Sequence, residues 1–203
     1  MERVSKFTQL IRPVNCLMMG FAVIVGALLA KQESFSSPSL ANLIFGFVTS
    51  FTLTGASMAV NDYYDREIDA VNEPNRPIPS GVIKPGEALV FASILTVIGF
   101  TTAFMTNISC LITAVIAWLV FIVYTTKGKR TGLPGNFLVS LCIAIPFLYG
   151  GFTVANQLEF RAVTRIALFA AMAFFSNTGR EVTKGIVDVM GDKSKGVRTV
   201  AIV

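Results

Sequence analysis

The chain alternates between long uncharged apolar runs and short polar ones, and that alternation predicts its elements. No Asp, Glu, Lys or Arg occurs from Pro13 to Ala30, nor from Ala88 to Thr126. A membrane-spanning helix needs about 20 mostly apolar residues, so the second run holds two. Along the whole sequence the apolar segments predict six spans, at 13–30, 41–60, 87–106, 108–126, 136–155 and 162–179. Asn107 marks a tight turn between the third and fourth. The run after Arg3, Lys6 and Arg12 is too long for a signal peptide, and no small-x-small cleavage site follows it. It reads as the first span, with Arg12 at its polar edge.

Composition supports an all-α polytopic membrane protein forming a single domain over residues 1–203. Hydrophobic residues make up 53% of the chain and charged ones 14%, against roughly 25% charged in soluble domains. Mean hydropathy is +0.66. The absence of histidine removes imidazole acid–base chemistry and imidazole metal ligation. Cys16, Cys110 and Cys142 sit inside apolar stretches without Cys-x-x-Cys spacing and read as packing residues.

Charge sets the orientation. Of the 17 Lys and Arg residues, all but Lys31, Arg161 and Arg165 fall on the side of the amino terminus. The positive-inside rule therefore predicts a multi-pass cell-membrane protein with a cytoplasmic amino terminus. The basic isoelectric point, near 9.3, is a consequence of topology and implies no nucleic-acid partner. Acidic residues share the asymmetry, which the rule does not require. Asp62, Asp65, Glu67, Asp69, Glu73 and Glu87 lie in or beside one predicted cytoplasmic loop; Glu181, Asp188 and Asp192 lie in another.

If the second helix continues through Asn61–Asp69, then Asp62, Asp65 and Asp69 fall at i, i+3 and i+7. At about 100° per residue they occupy a stripe roughly 60° wide, with Glu67 pointing elsewhere. Carboxylates so grouped repel one another unless a cation lies among them. Mg²⁺, which binds through a few carboxylates plus substrate phosphates, suits such a set; a solvated helix end is the plainer reading. In the second acidic segment Glu181, Lys184, Asp188 and Asp192 share one helical face, where the alternative is a polar segment leaving the membrane. Between them, four prolines from Pro74 to Pro85 exclude a helix and predict a stiff, extended loop. That loop carries Arg76, whose guanidinium offers a bidentate fork to a phosphate, and Lys84. Tyr124 and Lys127 end the fourth span on the same side, and Asn15 lies near the start of the first. Such residues line a cavity, anchor helix ends by snorkelling or join helices.

These residues resemble the UbiA prenyltransferase family. Asn61-Asp62-x-x-Asp65-x-x-x-Asp69 looks like its first aspartate-rich motif, and Asp188-x-x-x-Asp192 like its second. Arg12-Pro13-x-Asn15 and Tyr124-x-x-Lys127 are similar to further family features. The resemblance covers nearly the whole chain in matching order. It implies a UbiA-type helical bundle, with six spanning helices here of an expected nine, so that the sequence is expected to be truncated at its C-terminus.

The resemblance also implies Mg²⁺ as cofactor, held by Asp62, Asp65, Asp69, Asp188 and Asp192, which are the catalytic residues. Asn15, Asn61, Arg66, Arg76 and Tyr124 would contact substrate, together with Lys127, Arg180, Glu181 and Lys184. Gly179–Lys184, Gly191–Lys193 and Val197–Thr199 are similar to the branch that makes archaeal ether lipids. That branch implies transfer of a geranylgeranyl group from its diphosphate to geranylgeranylglyceryl phosphate, an isoprenyl diphosphate donor and a lipid-phosphate acceptor meeting in the bilayer, with no obligatory protein partner. A quinone precursor or chlorophyllide acceptor is the alternative within the family. Gly185 and Met190 stand where related sequences often carry an acid. A transporter is the reading from another class, disfavoured because the charges crowd the rim rather than mid-membrane. A CDP-alcohol phosphotransferase is disfavoured because its aspartates sit in one segment, whereas here more than 100 residues separate the two acidic groups.

Overall fold

The structure, a computed structural model, describes residues 2–31, 39–154 and 158–187. Seven α-helices account for nearly all of them: α1 (Glu2–Ile11), α2 (Pro13–Ala30), α3 (Leu40–Asn72), α4 (Pro85–Thr106), α5 (Ile108–Thr126), α6 (Leu133–Val154) and α7 (Phe160–Val187). A single 3₁₀ turn, Gly128–Arg130, follows α5. Among the described residues five helices, α2 to α6, are long and apolar enough to cross a membrane. The sixth expected span, α7, is long enough at 28 residues. Arg161 and Arg165 near its start and the polar stretch from Ser176 onward make it less apolar than the other five.

Composition explains the breaks. Pro13 lacks an N–H and disfavours helical geometry in the residue before it, and Arg12 accordingly leaves the helix with φ 52° and ψ 71°. That kink separates α1 from α2. Asn107 ends α4 and caps α5, its side-chain oxygen accepting from the Cys110 N–H at 2.8 Å while its amide donates to the Phe152 carbonyl at 2.7 Å. One residue thus makes a tight turn and ties it to the end of α6. The expectation had no helix before Pro13. There α1 is amphipathic, burying Leu10 against Ala56, Ala59, Ile78 and Ile83, with Phe7 edge-on to Phe91.

α2 to α6 pack as a ring: α3 lies against α2 and α4, α5 against α4 and α6, and α6 returns to α2; α7 packs on α6 and α2. Where α2 crosses α6 the backbones nearly touch. A Cβ on Gly26 would lie 2.0 Å from the Phe147 carbonyl oxygen, and one on Gly150 would lie 2.0 Å from that of Val23. Small residues permit this approach, the usual device of helix association in lipid. Large apolar side chains such as Val97, Ile116, Leu119 and Met172 point outward, as a lipid-facing surface requires.

Inside the ring lies an open cavity, lined from α2, α3, α5 and α6 by Val23, Thr49, Leu53, Ser57, Trp118, Phe121, Cys142 and Tyr149 among others. The start of α2, the end of α3, the start of α4, the end of α5, the start of α6 and the end of α7 share one end of the bundle, because successive spans run in opposite directions. At 33 residues α3 is about 50 Å long, well beyond the roughly 30 Å hydrocarbon thickness. Its last three turns carry the first acidic motif.

Candidate functional site

The cluster assembles where α3 outruns the bundle. Asn61 and Asp65 continue the face of α3 that lines the cavity through Ser50, Thr54 and Ser57, since these positions recur at helical spacing. Asp62 and Asp69, about a quarter turn round, are buried against neighbouring chain. Glu67 points out and is exposed.

Each aspartate meets a cation from a different part of the chain. Arg12 Nη2 donates to Asp62 Oδ1 at 2.7 Å. Arg76 Nη1 donates to Asp69 Oδ2 at 2.7 Å and lies 3.7 Å from Asp62 Oδ1, while its Nε and Nη2 fork onto the two Glu73 oxygens at 2.9 and 2.8 Å. Lys129 Nζ donates to Asp65 Oδ2 and, at 2.8 Å, to Asn61 Oδ1. The Asn61 amide closes this triangle by donating to Asp65 Oδ2 at 3.0 Å. Hydrogen bonding to Arg76 holds the Glu73 carboxyl below the ordinary carboxylate range.

Two pieces of local structure aim those cations. The proline-rich stretch after α3 is a set of compact turns rather than an extended loop. Burial of Ile78 and Ile83 folds it back over α1, α3 and α4, and Gly81 supplies a positive φ of 76°. This folding sets Arg76 over Asp69. On the opposite side, the 3₁₀ turn lies flush against the first turn of α6: a Cβ on Gly135 would be 2.2 Å from the Gly128 carbonyl oxygen. That close approach carries Lys129 toward α3.

The expected residues divide accordingly. Asn61, Asp62, Asp65, Asp69 and Arg76 come together. Tyr124 sits close enough to Asp65 and Glu181 to feel both charges, and Lys184 lies within electrostatic range of Glu73. The end of α7 therefore faces the first motif across the mouth of the cavity. Glu181 is largely covered and pairs with the exposed Arg180 at 2.9 Å. Lys127 is exposed, and Lys129, two residues on, is the cation that reaches Asp65. Arg66 hydrogen-bonds the Tyr63 carbonyl at 2.8 Å and stacks 4.7 Å from its ring centroid, away from the aspartates. Asn15 is exposed near the start of α2. Asp188 and Asp192 lie outside the described residues.

Sequence reasoning passed over two features. Arg12, read as an edge marker and as part of Arg12-Pro13-x-Asn15, was given no role of its own, yet its guanidinium pairs with Asp62. Asn177 and Thr178 both hydrogen-bond Ser140 Oγ, at 3.1 and 2.9 Å, pinning α7 to α6 just below the site; no local signal pairs residues so far apart.

The donor set is oxygen-rich and anionic, which suits a hard divalent ion. Among the described residues no three acidic or cysteine side chains converge closely enough to hold an ion alone. Mg²⁺ does not require that, since it keeps several waters and binds through one or two carboxylates plus substrate phosphates. The residues fit the ion.

An apolar cavity inside a helical bundle, headed by paired carboxylates and cations, defines a membrane-embedded site for lipids with charged heads. The family is given by sequence: residues 19–203 match the model of the UbiA prenyltransferase family, and the chain belongs to that family. Among its relatives, digeranylgeranylglyceryl phosphate synthase of Natronomonas pharaonis is 36% identical, covering 100% of this chain and 70% of its own length. The enzyme of the same name from Methanococcoides burtonii is 38% identical, over 98% of this chain and 71% of its own. A solved structure described as digeranylgeranylglyceryl phosphate synthase in membranes superposes with a TM-score of 0.82 at 32% identity, covering 100% of this chain and 69% of that one. A UbiA homolog from Archaeoglobus fulgidus, described as bound to GPP and Mg²⁺, shares the fold with a TM-score of 0.76 at 20% identity, over 97% of this chain and 68% of that one.

Proposed function

We propose that this chain transfers a geranylgeranyl group from geranylgeranyl diphosphate to geranylgeranylglyceryl phosphate, forming the second ether bond of an archaeal membrane lipid. The observation that carries this reading is the juxtaposition of Asn61, Asp65 and Lys129 at the head of an apolar cavity. The synthase relatives, aligned over essentially the whole chain, supply the substrate class. The basic end of the bundle faces the cytoplasm in this reading, following the positive-inside distribution.

Asp62, Asp65 and Asp69, with Asp188 and Asp192, would hold Mg²⁺. When bound, the ion offsets charge on the diphosphate. The protein's own groups do the rest. Lys129 and Arg76 lie beside the carboxylates, placed to neutralise charge that grows on the leaving diphosphate as the allylic C–O bond breaks. Trp118 and Phe121, in contact with each other, line the cavity, where they shield the allylic cation from water. Arg12 is a positioning residue, fixing Asp62 at the junction of α1 and α2. Attack by the acceptor hydroxyl on the allylic carbon, with loss of its proton, completes the ether.

The test is product formation by the full-length protein in detergent with labelled geranylgeranyl diphosphate and Mg²⁺. Geranylgeranylglyceryl phosphate, 4-hydroxybenzoate and chlorophyllide are offered as acceptors, with Asp65→Asn as control. Ether product from the glyceryl phosphate alone, abolished in the control, is expected. Product from another acceptor would keep the family and overturn the substrate.

A further inference from the structure

α7 is buried only over its first two turns. There Ala162 and Ile166 are 1% and 2% exposed, and Arg165 Nε donates to the Leu29 carbonyl at 2.8 Å. Every residue from 167 to 185 is exposed or half-buried. Yet this outer stretch carries Arg180, Glu181 and Lys184 to the mouth of the cavity. A single hydroxyl on α6 grips it. Asn177 Nδ2 donates to Ser140 Oγ at 3.1 Å and Thr178 Oγ1 does so at 2.9 Å. The Phe137 and Phe174 rings meet alongside, with centroids 5.6 Å apart.

Ser140 is fully buried, shut off from solvent. A serine hydroxyl has one proton and two acceptor sites, and this one uses all three. Its proton goes to the Asn136 carbonyl at 2.7 Å, and both acceptor sites face α7. The Asn136 N–H in turn donates to the Gly132 carbonyl at 3.1 Å, in the first turn of α6. That turn also seats the 3₁₀ turn: Gly135 meets the Gly128 carbonyl, and a Cβ on Gly128 would lie 2.6 Å from Leu138 Cδ1. Lys129, the next residue, reaches Asp65 and Asn61. Ser140 lies about 8 Å along α6 from Gly135, and Thr178 about 5 Å along α7 from Glu181. One oxygen thus joins the support of Lys129 to the helix end that faces it.

We infer that Ser140 is a positioning residue, fixing the charged end of α7 opposite Asp65 and Lys129. The inference rests on the proposed prenyl-transfer reading, in which both sides of the mouth act on one diphosphate. Without the Ser140 hydroxyl, Thr178 falls back on the Phe174 carbonyl at 2.8 Å, and the Asn177 amide loses this acceptor. Hydrogen bonds between helices in lipid add only modestly to stability. A misplacement of about 1 Å at a reacting centre, by contrast, can cost roughly 100-fold in rate. Loss of the clasp therefore acts on rate far more than on folding, which separates positioning from plain support.

The test uses the full chain in detergent and two readouts, each taken well below the unfolding temperature. One is kcat and KM for geranylgeranyl diphosphate with geranylgeranylglyceryl phosphate. The other is the distance between nitroxide labels on Thr126→Cys and Thr183→Cys, both exposed at the site end, read by pulsed electron paramagnetic resonance without substrate. Ser140→Ala is expected to lower kcat by about tenfold or more and to broaden the distance distribution. KM should move only a few-fold, because Lys129 and Arg76 still meet the donor. Thr178→Val, similar in shape but lacking the hydroxyl, should act in the same direction; Thr178→Ser, which keeps it, should retain wild-type kcat and distance. An unchanged distance or a wild-type kcat in folded Ser140→Ala overturns the inference. So does equal impairment by Thr178→Val and Thr178→Ser. A broadened distance in Ser140→Ala, with no ether product even from wild type, would sustain the clasp and overturn the prenyl-transfer reading, so the two failures are distinguishable.

Discussion

Replacing Arg76 by Met removes the cation that joins the proline-rich turns to α3, and the cost follows from its partners. The side chain makes three hydrogen bonds to carboxylates, two to Glu73 and one to Asp69. Glu73 is 58% exposed and regains water when Arg76 is lost, so its share is small, below about 1 kcal/mol. Asp62 keeps Arg12 at 2.7 Å. Asp69, whose side chain is 9% exposed, is left as a buried charge with no comparable partner. Breaking a buried pair from one side costs about 3–5 kcal/mol. Because Arg76 itself retains 22% exposure, the expected loss is roughly 2–4 kcal/mol. It is measured by reversible unfolding in mixed micelles with rising SDS fraction. The double variant Arg76→Met/Asp69→Asn, which removes the stranded charge, is expected to recover at least half. A loss below about 1 kcal/mol for the single variant, or no recovery in the double one, would show that water or another cation serves Asp69 and refute the reasoning.

Lys129→Met is expected to lower kcat/KM for diphosphate release by about 100-fold, the scale of losing one charge-stabilising group. Lys127→Met should stay within a few-fold of wild type, and equal losses would return the role to Lys127. Gly150→Val places a side chain where a Cβ already meets the Val23 carbonyl at 2.0 Å, so α2 and α6 must separate. Destabilisation of about 3 kcal/mol or more is expected in the same micelle titration, and wild-type stability would mean the crossing is looser than described. Glu73 is held below its ordinary carboxylate range by Arg76, so its contribution is present above the unfolded value and lost as pH falls through the lowered folded one. Backbone hydrogen exchange of the 73–84 turns should therefore quicken below about pH 4.5. Glu73→Gln should flatten that response, and an unaltered profile in this variant would assign it to another acid.

Much of the bundle was legible because lipid makes a strict demand. Uncharged runs of fixed length have one favourable conformation in a bilayer, and α2, α4 and α5 begin and end within a few residues of where Pro13, Ala30, Thr106, Asn107 and Thr126 placed them. The aspartate spacing was compatible with a second span running on past residue 60, and α3 does continue to Asn72. α1 was missed because ten residues of mixed polarity before a proline carry no spanning signal; packing of Phe7 and Leu10 onto α3 and α4 gives it a place. Lys129 was missed for a geometric reason. Nearness to the membrane along the chain favoured Lys127, but the Gly128–Gly135 approach folds the chain back and presents the later lysine. The pairing of Arg12 with Asp62 was not foreseen because the partners lie 50 positions apart and the Arg12 backbone occupies a region non-glycine residues seldom adopt.

One uninterrupted helix, α3, carries both the cavity lining from Thr49 to Ser57 and the acidic residues up to Asp69. No proline divides these positions, so the rod has no joint at which head and tail could move independently. Tilting it by about 5° about its inner end would sweep the outer tip roughly 4 Å, given its length of about 50 Å. Such a swing would disengage Asp65 from Lys129 and alter the depth beneath it in the same stroke. Any rearrangement that leaves α3 straight would therefore fall to the pieces around it, the 73–84 turns, the 3₁₀ turn and the end of α7.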